Sequence, residues 1–99
     1  MDVFLIEYQA HQDSVDKIIS AAKEFVAAIA ADNDPDVRYR SSRKNDGVSF
    51  VHIAEFTDDA AKERLQSTAH FKKFSEALPS LCAVKPSAQK LEVVADSRG

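Results

Sequence analysis

The stretch Phe50–Leu81, FVHIAEFTDDAAKERLQSTAHFKKFSEALPSL, joins a strand with apolar residues on both faces to a broken helix. From Val48 to Phe56 one parity carries Val48, Phe50, Ala54 and Phe56, and the other carries Val51 and Ile53. Period-two alternation with β-branched and aromatic residues predicts a strand, and apolar residues on both parities predict cover on both faces. Thr57 is placed to cap the helix that follows, with Asp58 and Asp59 favourable beside its positive end. Ala61 and Leu65 face inward, Ser67-Thr68 marks a kink or restart, and Phe71, Phe74, Leu78 and Leu81 continue the apolar stripe.

Upstream, residues 3–9 (VFLIEYQ) read as a strand that is also apolar on both parities. Asp13 or Ser14 is placed to cap a first helix whose stripe is Val15, Ile18, Ile19, Ala22, Phe25, Val26 and Ile29. Asp32-Asn33-Asp34-Pro35 ends that helix, because the cluster favours turns and the proline opposes helical geometry before it. Residues 37–44 alternate with arginines and read as an edge strand, and Asn45-Asp46-Gly47 is a hairpin signal. Pro79 and Pro86 bracket an expected loop before a last short strand at 89–95, and residues 96–99 form a loose tail.

The order β-α-β-β-α-β is the ferredoxin-like arrangement, an α+β fold in which two helices cover one face of a four-stranded antiparallel sheet. Residues 1–99 make one domain of that kind. Something must cover the second sheet face, and a second copy of the chain does so economically. A homodimer packed sheet to sheet is therefore expected, motivated by Phe4, Ile6, Phe50 and Phe56.

Bulk properties narrow the function. The net charge of −3 gives no field that attracts polyanions, so nucleic acid is not an expected partner. No segment approaches the roughly 20 apolar residues of a membrane span, and the N-terminus has no secretory pattern. The single cysteine, Cys82, excludes an internal disulfide, and a cytoplasmic setting is the default. The histidines at 11, 52 and 70 lack metal-ligand spacing, and the two glycines, Gly47 and Gly99, cannot build a phosphate-cradling loop. No metal and no cofactor are expected.

The element order, with Glu55-Phe56 closing the third strand, Asp58-Asp59-Ala60-Ala61 opening the helix and Ser67–Phe74 (STAHFKKF), resembles the antibiotic biosynthesis monooxygenase family of dimeric α/β barrels. The layout matches over nearly the whole chain, and the specific likeness spans about 25 residues of it. The resemblance implies a small pocket in each protomer, bounded by sheet and helices. Family chemistries include cofactor-free oxygenation of phenolic or quinol-like substrates, haem degradation, and isomerisation or signal-molecule processing. Leu65 and Ser75 stand where the haem-degrading branch places its tryptophan and histidine, which argues against haem. Many oxygenase-like members carry a histidine where Leu65 stands, so a non-catalytic barrel that holds a small aromatic ligand is kept as the alternative.

His70, His52 and Tyr8 are the candidates for catalysis, with Tyr39 as a further hydrogen-bond donor. His70, on the border of the apolar stripe, can accept a proton from a phenol or quinol, since imidazole titrates near working pH. Its plain alternative is a wet-rim residue. His52, among the apolar residues of the third strand, serves equally as a hydrogen-bonded core residue. Tyr8 and Tyr39 can donate a phenol hydrogen bond, though such tyrosines are commonly amphipathic packers. Phe56, Leu65, Phe71 and Phe74 are the expected pocket wall.

A remoter reading is the RNA recognition motif, which shares the element order. Gly47, Ser49, Phe50 and Val51 match its third-strand pattern in part, with Phe4 and Phe50 as base-stacking platforms.

Overall fold

A computed structural model describes residues 1–99. Strand β1 (Asp2–Ala10) leads through a 3-10 turn (Gln12–Ser14) into helix α1 (Val15–Asp32). Strands β2 (Val37–Arg43) and β3 (Ser49–Phe56) form a hairpin, helices α2 (Asp59–Gln66) and α3 (Ala69–Ala77) follow, and β4 (Cys82–Leu91) ends the sheet. The strand order is β2-β3-β1-β4 with every neighbouring pair antiparallel. This is the ferredoxin-like α+β fold.

Each junction has a local cause. Asn33 closes α1 in the left-handed conformation at φ 52°, its N–H donating to the Ala30 carbonyl. Gly47 at φ 81° turns the hairpin. Beside it the Asp46 carboxylate accepts from the Ser49 hydroxyl and from the Val48 and Ser49 amides, contacts that hold its pKa below the ordinary value. Thr68 restarts the broken helix as α3, with Oγ1 accepting from the Phe71 amide at 3.1 Å.

Three expectations need correction. Neither Asp13 nor Ser14 caps α1 through its side chain, because the 3-10 turn feeds the helix directly and the Ser14 amide donates to the His11 carbonyl. Asp58, not Thr57, caps α2, with its carboxylate accepting from the Ala61 amide at 2.9 Å. Thr57 remains tied to the sheet margin, donating its amide to the Asp36 carbonyl at 3.0 Å. The last strand starts at Cys82 rather than residue 89 and stops at Leu91 rather than residue 95. Pro86 belongs to it, since the register passes from Gln9–Val84 to Glu7–Ser87 through a bulge on an edge strand, where a missing N–H is tolerated.

The register also settles which parity faces the helices. Phe4 pairs with Ala54, Ile6 with His52 and Tyr8 with Phe50, all on the helix side. On that side β2 adds Val37, Tyr39 and Ser41. Against them pack Ile18, Ala22, Phe25 and Ile29 of α1, Leu65 of α2 and Phe74 of α3. The open face presents the half-buried Leu5, Val51 and Ile53 beside the buried Val3, framed by the Arg38–Glu55 and Lys44–Glu7 ion pairs. Phe4, Ile6, Phe50 and Phe56 therefore sit under the helices and are not the surface for a second copy. The open face carries no aromatic side chain, so the base-stacking platform of an RNA recognition motif is missing.

Candidate functional site

His52 lies in the middle of β3, between Ile6 of β1 and Ser41 of β2. It is fully buried, at 0% exposure. Three hydroxyls from the two flanking strands, β1 and β2, surround its ring. Tyr39 Oη is 2.7 Å from Nδ1, and Tyr8 Oη and Ser41 Oγ are 2.7 and 3.1 Å from Nε2. A neutral imidazole has one N–H and one lone pair, while each hydroxyl can donate or accept, so both tautomers satisfy the ring. Burial pulls the imidazole pKa down to about 4, which leaves it neutral at pH 7. Burial likewise raises the Tyr8 and Tyr39 phenols above their ordinary value, so both stay protonated.

The aromatic residues of α1 and α3 hold this ring flat. Phe25 stacks on Phe74 at 4.7 Å between centroids, and Phe74 in turn lies 5.6 Å from His52 at an interplanar angle of 26°. Tyr8 and Tyr39 meet the imidazole edge-on at 5.2 and 5.4 Å. Such offset and edge contacts suit the ring quadrupoles and fix orientation as well as burying area.

On the same side of the sheet a cavity of about 590 Å³ lies between the strands and the α2–α3 pair. That size is usual for a small-molecule site. Phe4, Ile6, Tyr39, His52, Ala54 and Phe56 form its floor, and Leu65, Phe71 and Phe74 form its helical wall. The remaining polar lining is Lys62, Gln66, Ser75 and Lys85. A second hollow, about 660 Å³, runs between α1 and β2 past Ile19, Val26, Tyr39 and Arg43. It contains no imidazole.

Phe56, Leu65, Phe71 and Phe74, the residues expected to form a pocket wall, line one cavity together with His52. Tyr8 stands behind His52 and does not line the cavity. His70 lies elsewhere: its Nε2 is 2.8 Å from an Asp32 carboxylate oxygen, and it faces α1 beside a small hollow bordered by Phe25 and Phe74. His11 is exposed at the end of β1, and its amide donates to the Leu81 carbonyl. Cys82 is buried, and burial raises its thiol pKa, which disfavours the reactive thiolate. No three His, Cys, Asp or Glu side chains converge as a ligand group. No helix is long and apolar enough to cross a membrane.

Sequence reading missed Ser41 as a partner of His52, and Phe4 and Ile6 as floor. The signal was the period of two along β2, which puts Val37, Tyr39 and Ser41 on one side, but it needs the strand pairing to be used.

Comparison with known proteins agrees with this architecture. A model of the antibiotic biosynthesis monooxygenase family matches residues 1–77. The fold superimposes on a crystal structure of an antibiotic biosynthesis monooxygenase with a TM-score of 0.85 at 18% identity, covering 96% of this chain and all of the other. SnoaB, a cofactor-independent oxygenase from Streptomyces nogalater, solved as a point mutant, matches with a TM-score of 0.80 at 21% identity over 99% of this chain and 97% of its own. PA3566 from Pseudomonas aeruginosa matches at 26% identity with a TM-score of 0.78, over 95% of each chain. No curated protein sequence matches the chain. From the first strand to the end of the α2–α3 wall, the chain belongs to the antibiotic biosynthesis monooxygenase family.

Proposed function

We propose that this chain is a cofactor-independent, monooxygenase-like protein that takes a small phenolic or quinol-type molecule into the cavity under α2 and α3. The observation that carries the reading is a neutral imidazole, His52, in the floor of an apolar cavity and tied to Tyr39. Tyr39 is half-buried and lines the cavity, so its hydroxyl is the route by which a substrate proton can reach Nδ1. The likeness to SnoaB supports oxygen chemistry without a cofactor.

For a hydroquinone the balance is simple. Loss of a phenolic proton makes the ring electron-rich; the anion reduces dioxygen and forms a C–O bond as a hydroperoxide. Protonation and loss of water leave a hydroxyquinone. Thus 1,4-naphthohydroquinone and O₂ give 2-hydroxy-1,4-naphthoquinone and H₂O. The protein's task is to move the proton and shelter the anion.

Proton transfer from a phenol near pKa 10 to His52 near 4 climbs about 8 kcal/mol. A turnover of about ten per second allows a barrier of about 16 kcal/mol, so the transfer consumes half of it without forbidding reaction. The same uphill step, with both ring nitrogens already engaged, favours a second reading: a barrel that binds an aromatic ligand and does not turn it over.

Oxygen uptake with 1,4-naphthohydroquinone separates the two. Turnover predicts uptake above autoxidation, heavy-isotope oxygen in the product, and a loss of about a hundredfold or more in His52→Gln. Uptake no faster than the buffer blank removes the oxygenase reading and leaves the binder. The corresponding His70→Gln variant shows whether the Asp32-paired imidazole contributes.

The working unit in this reading is a homodimer joined through Leu5, Val51 and Ile53 of the open face. A cytoplasmic setting suits its reduced Cys82.

A further inference from the structure

We propose that the cavity ligand is an aromatic molecule carrying an acidic group, anionic at neutral pH, whose charge lies between Lys62 and Lys85. The inference deepens the reading of the same cavity and rests on that cavity being the ligand site; it does not depend on turnover.

The chain has 16 acidic and 13 basic side chains, yet the cavity lining includes two lysines and no carboxylate. They come from different elements, Lys62 from α2 and Lys85 from β4. Of the eleven cations outside the cavity, Arg38, Lys44, Arg64, Lys73 and Lys90 have carboxylate partners within 4 Å and the other six have none. Lys62 and Lys85 have none either. Lys62 is instead held with its ammonium 4.8 Å from the centroid of the Phe4 ring, at the edge of the apolar floor. That contact keeps a cation beside the place where an aromatic body would lie.

An apolar floor with two unpaired cations and no anion selects by charge as well as shape. A neutral ring system fills the floor but leaves both ammonium groups to water. A ring with a carboxylate or sulfonate fills the floor and meets them. A cationic ligand is disfavoured, since nothing in the lining offsets its charge.

Binding of 2-naphthoate and of its methyl ester, the same ring system without the charge, tests this by calorimetry. The naphthoate should bind about three- to tenfold more tightly at low salt, a preference that shrinks as salt is added. In the double variant Lys62→Gln, Lys85→Gln the preference should vanish while the ester keeps its affinity. A matched double variant outside the cavity, Lys17→Gln with Lys72→Gln, should keep it. The inference fails if the ester binds as well as the naphthoate, or if the preference survives loss of Lys62 and Lys85. Oxygen uptake is read separately with the uncharged naphthohydroquinone. Uptake without anion preference overturns only the charge inference, and anion preference without uptake overturns only turnover. If neither naphthyl compound binds, the cavity reading falls with both.

Discussion

Tyr39 on the edge strand places its phenol oxygen 2.7 Å from Nδ1 of His52 on the central strand. The pair fastens β2 to the middle of the sheet at the point where the cavity floor begins. Tyr39→Phe removes the hydroxyl, keeps the ring and leaves Nδ1 without its partner. The expected cost is about 1–3 kcal/mol of stability, the usual penalty for a buried polar atom left unpaired, read by urea unfolding. If unfolding shifts by less than about 0.5 kcal/mol, a water or a ring flip has replaced the bond.

The pH dependence of stability follows from His52. Its folded pKa of about 4 lies below the ordinary histidine value, so the unfolded chain takes up this proton first as pH falls. The contribution is complete above about pH 6.5 and is lost as pH drops toward 4, on the order of 3 kcal/mol in all. Unfolding measured at intervals across that window should show the decline, and His52→Gln should flatten it. A wild-type profile that stays level down to pH 4.5 would exclude a buried neutral imidazole.

Thr68 secures the cavity wall from a distance. Its Oγ1 accepts from the Phe71 amide and donates to the Leu65 carbonyl at 2.6 Å, joining the end of α2 to the start of α3. Thr68→Ala should cost about 1 kcal/mol. The sharper readout is hydrogen exchange: the Phe71 amide should exchange faster in the variant while β1 and β3 amides change little. Equal protection at Phe71 would show that another group caps α3.

The open sheet face makes its own prediction. Val51 and Ile53 are half-buried there, opposite the cavity side, so a charge introduced at Ile53 disturbs association before it disturbs the site. Wild type should sediment as a dimer at micromolar concentration. Ile53→Lys should weaken the dimer by on the order of a hundredfold, because each copy would bury an unpaired ammonium. Monomeric wild type under those conditions rules out the sheet-to-sheet pair.

What the sequence disclosed depended on period and what it hid depended on register. Alternation in Phe50–Phe56 and the heptad-like spacing from Val15 to Ile29 predict β3 and α1 correctly, because each needs only neighbours along the chain. Facing could not be read that way. Both parities of β1 and β3 are apolar, so the expected interface falls on Phe4, Ile6, Phe50 and Phe56, whereas the open face carries Val51 and Ile53. Pairing with β2, whose Tyr39 and Ser41 reach His52, decides it. His70 and Phe71 show the same limit at a helix: adjacent residues diverge by about 100°, so one turns to Asp32 and the other to the cavity. Pro86 hid the start of β4 because a proline inside a strand is tolerated only at an edge or bulge, and both conditions hold here.

That bulge has a consequence for how copies of the chain can meet. At one margin of the sheet Pro86 removes a backbone donor and breaks the spacing of the rest. At the other margin β2 carries Arg38, Arg40 and Arg43, charges that repel a like edge. Neither margin offers a clean template for adding strands. Growth in the plane of the sheet, which has no natural end and leads to fibres, is blocked on both sides. Contact through the flat face, by contrast, uses the same patch on both partners and is complete when two copies have met.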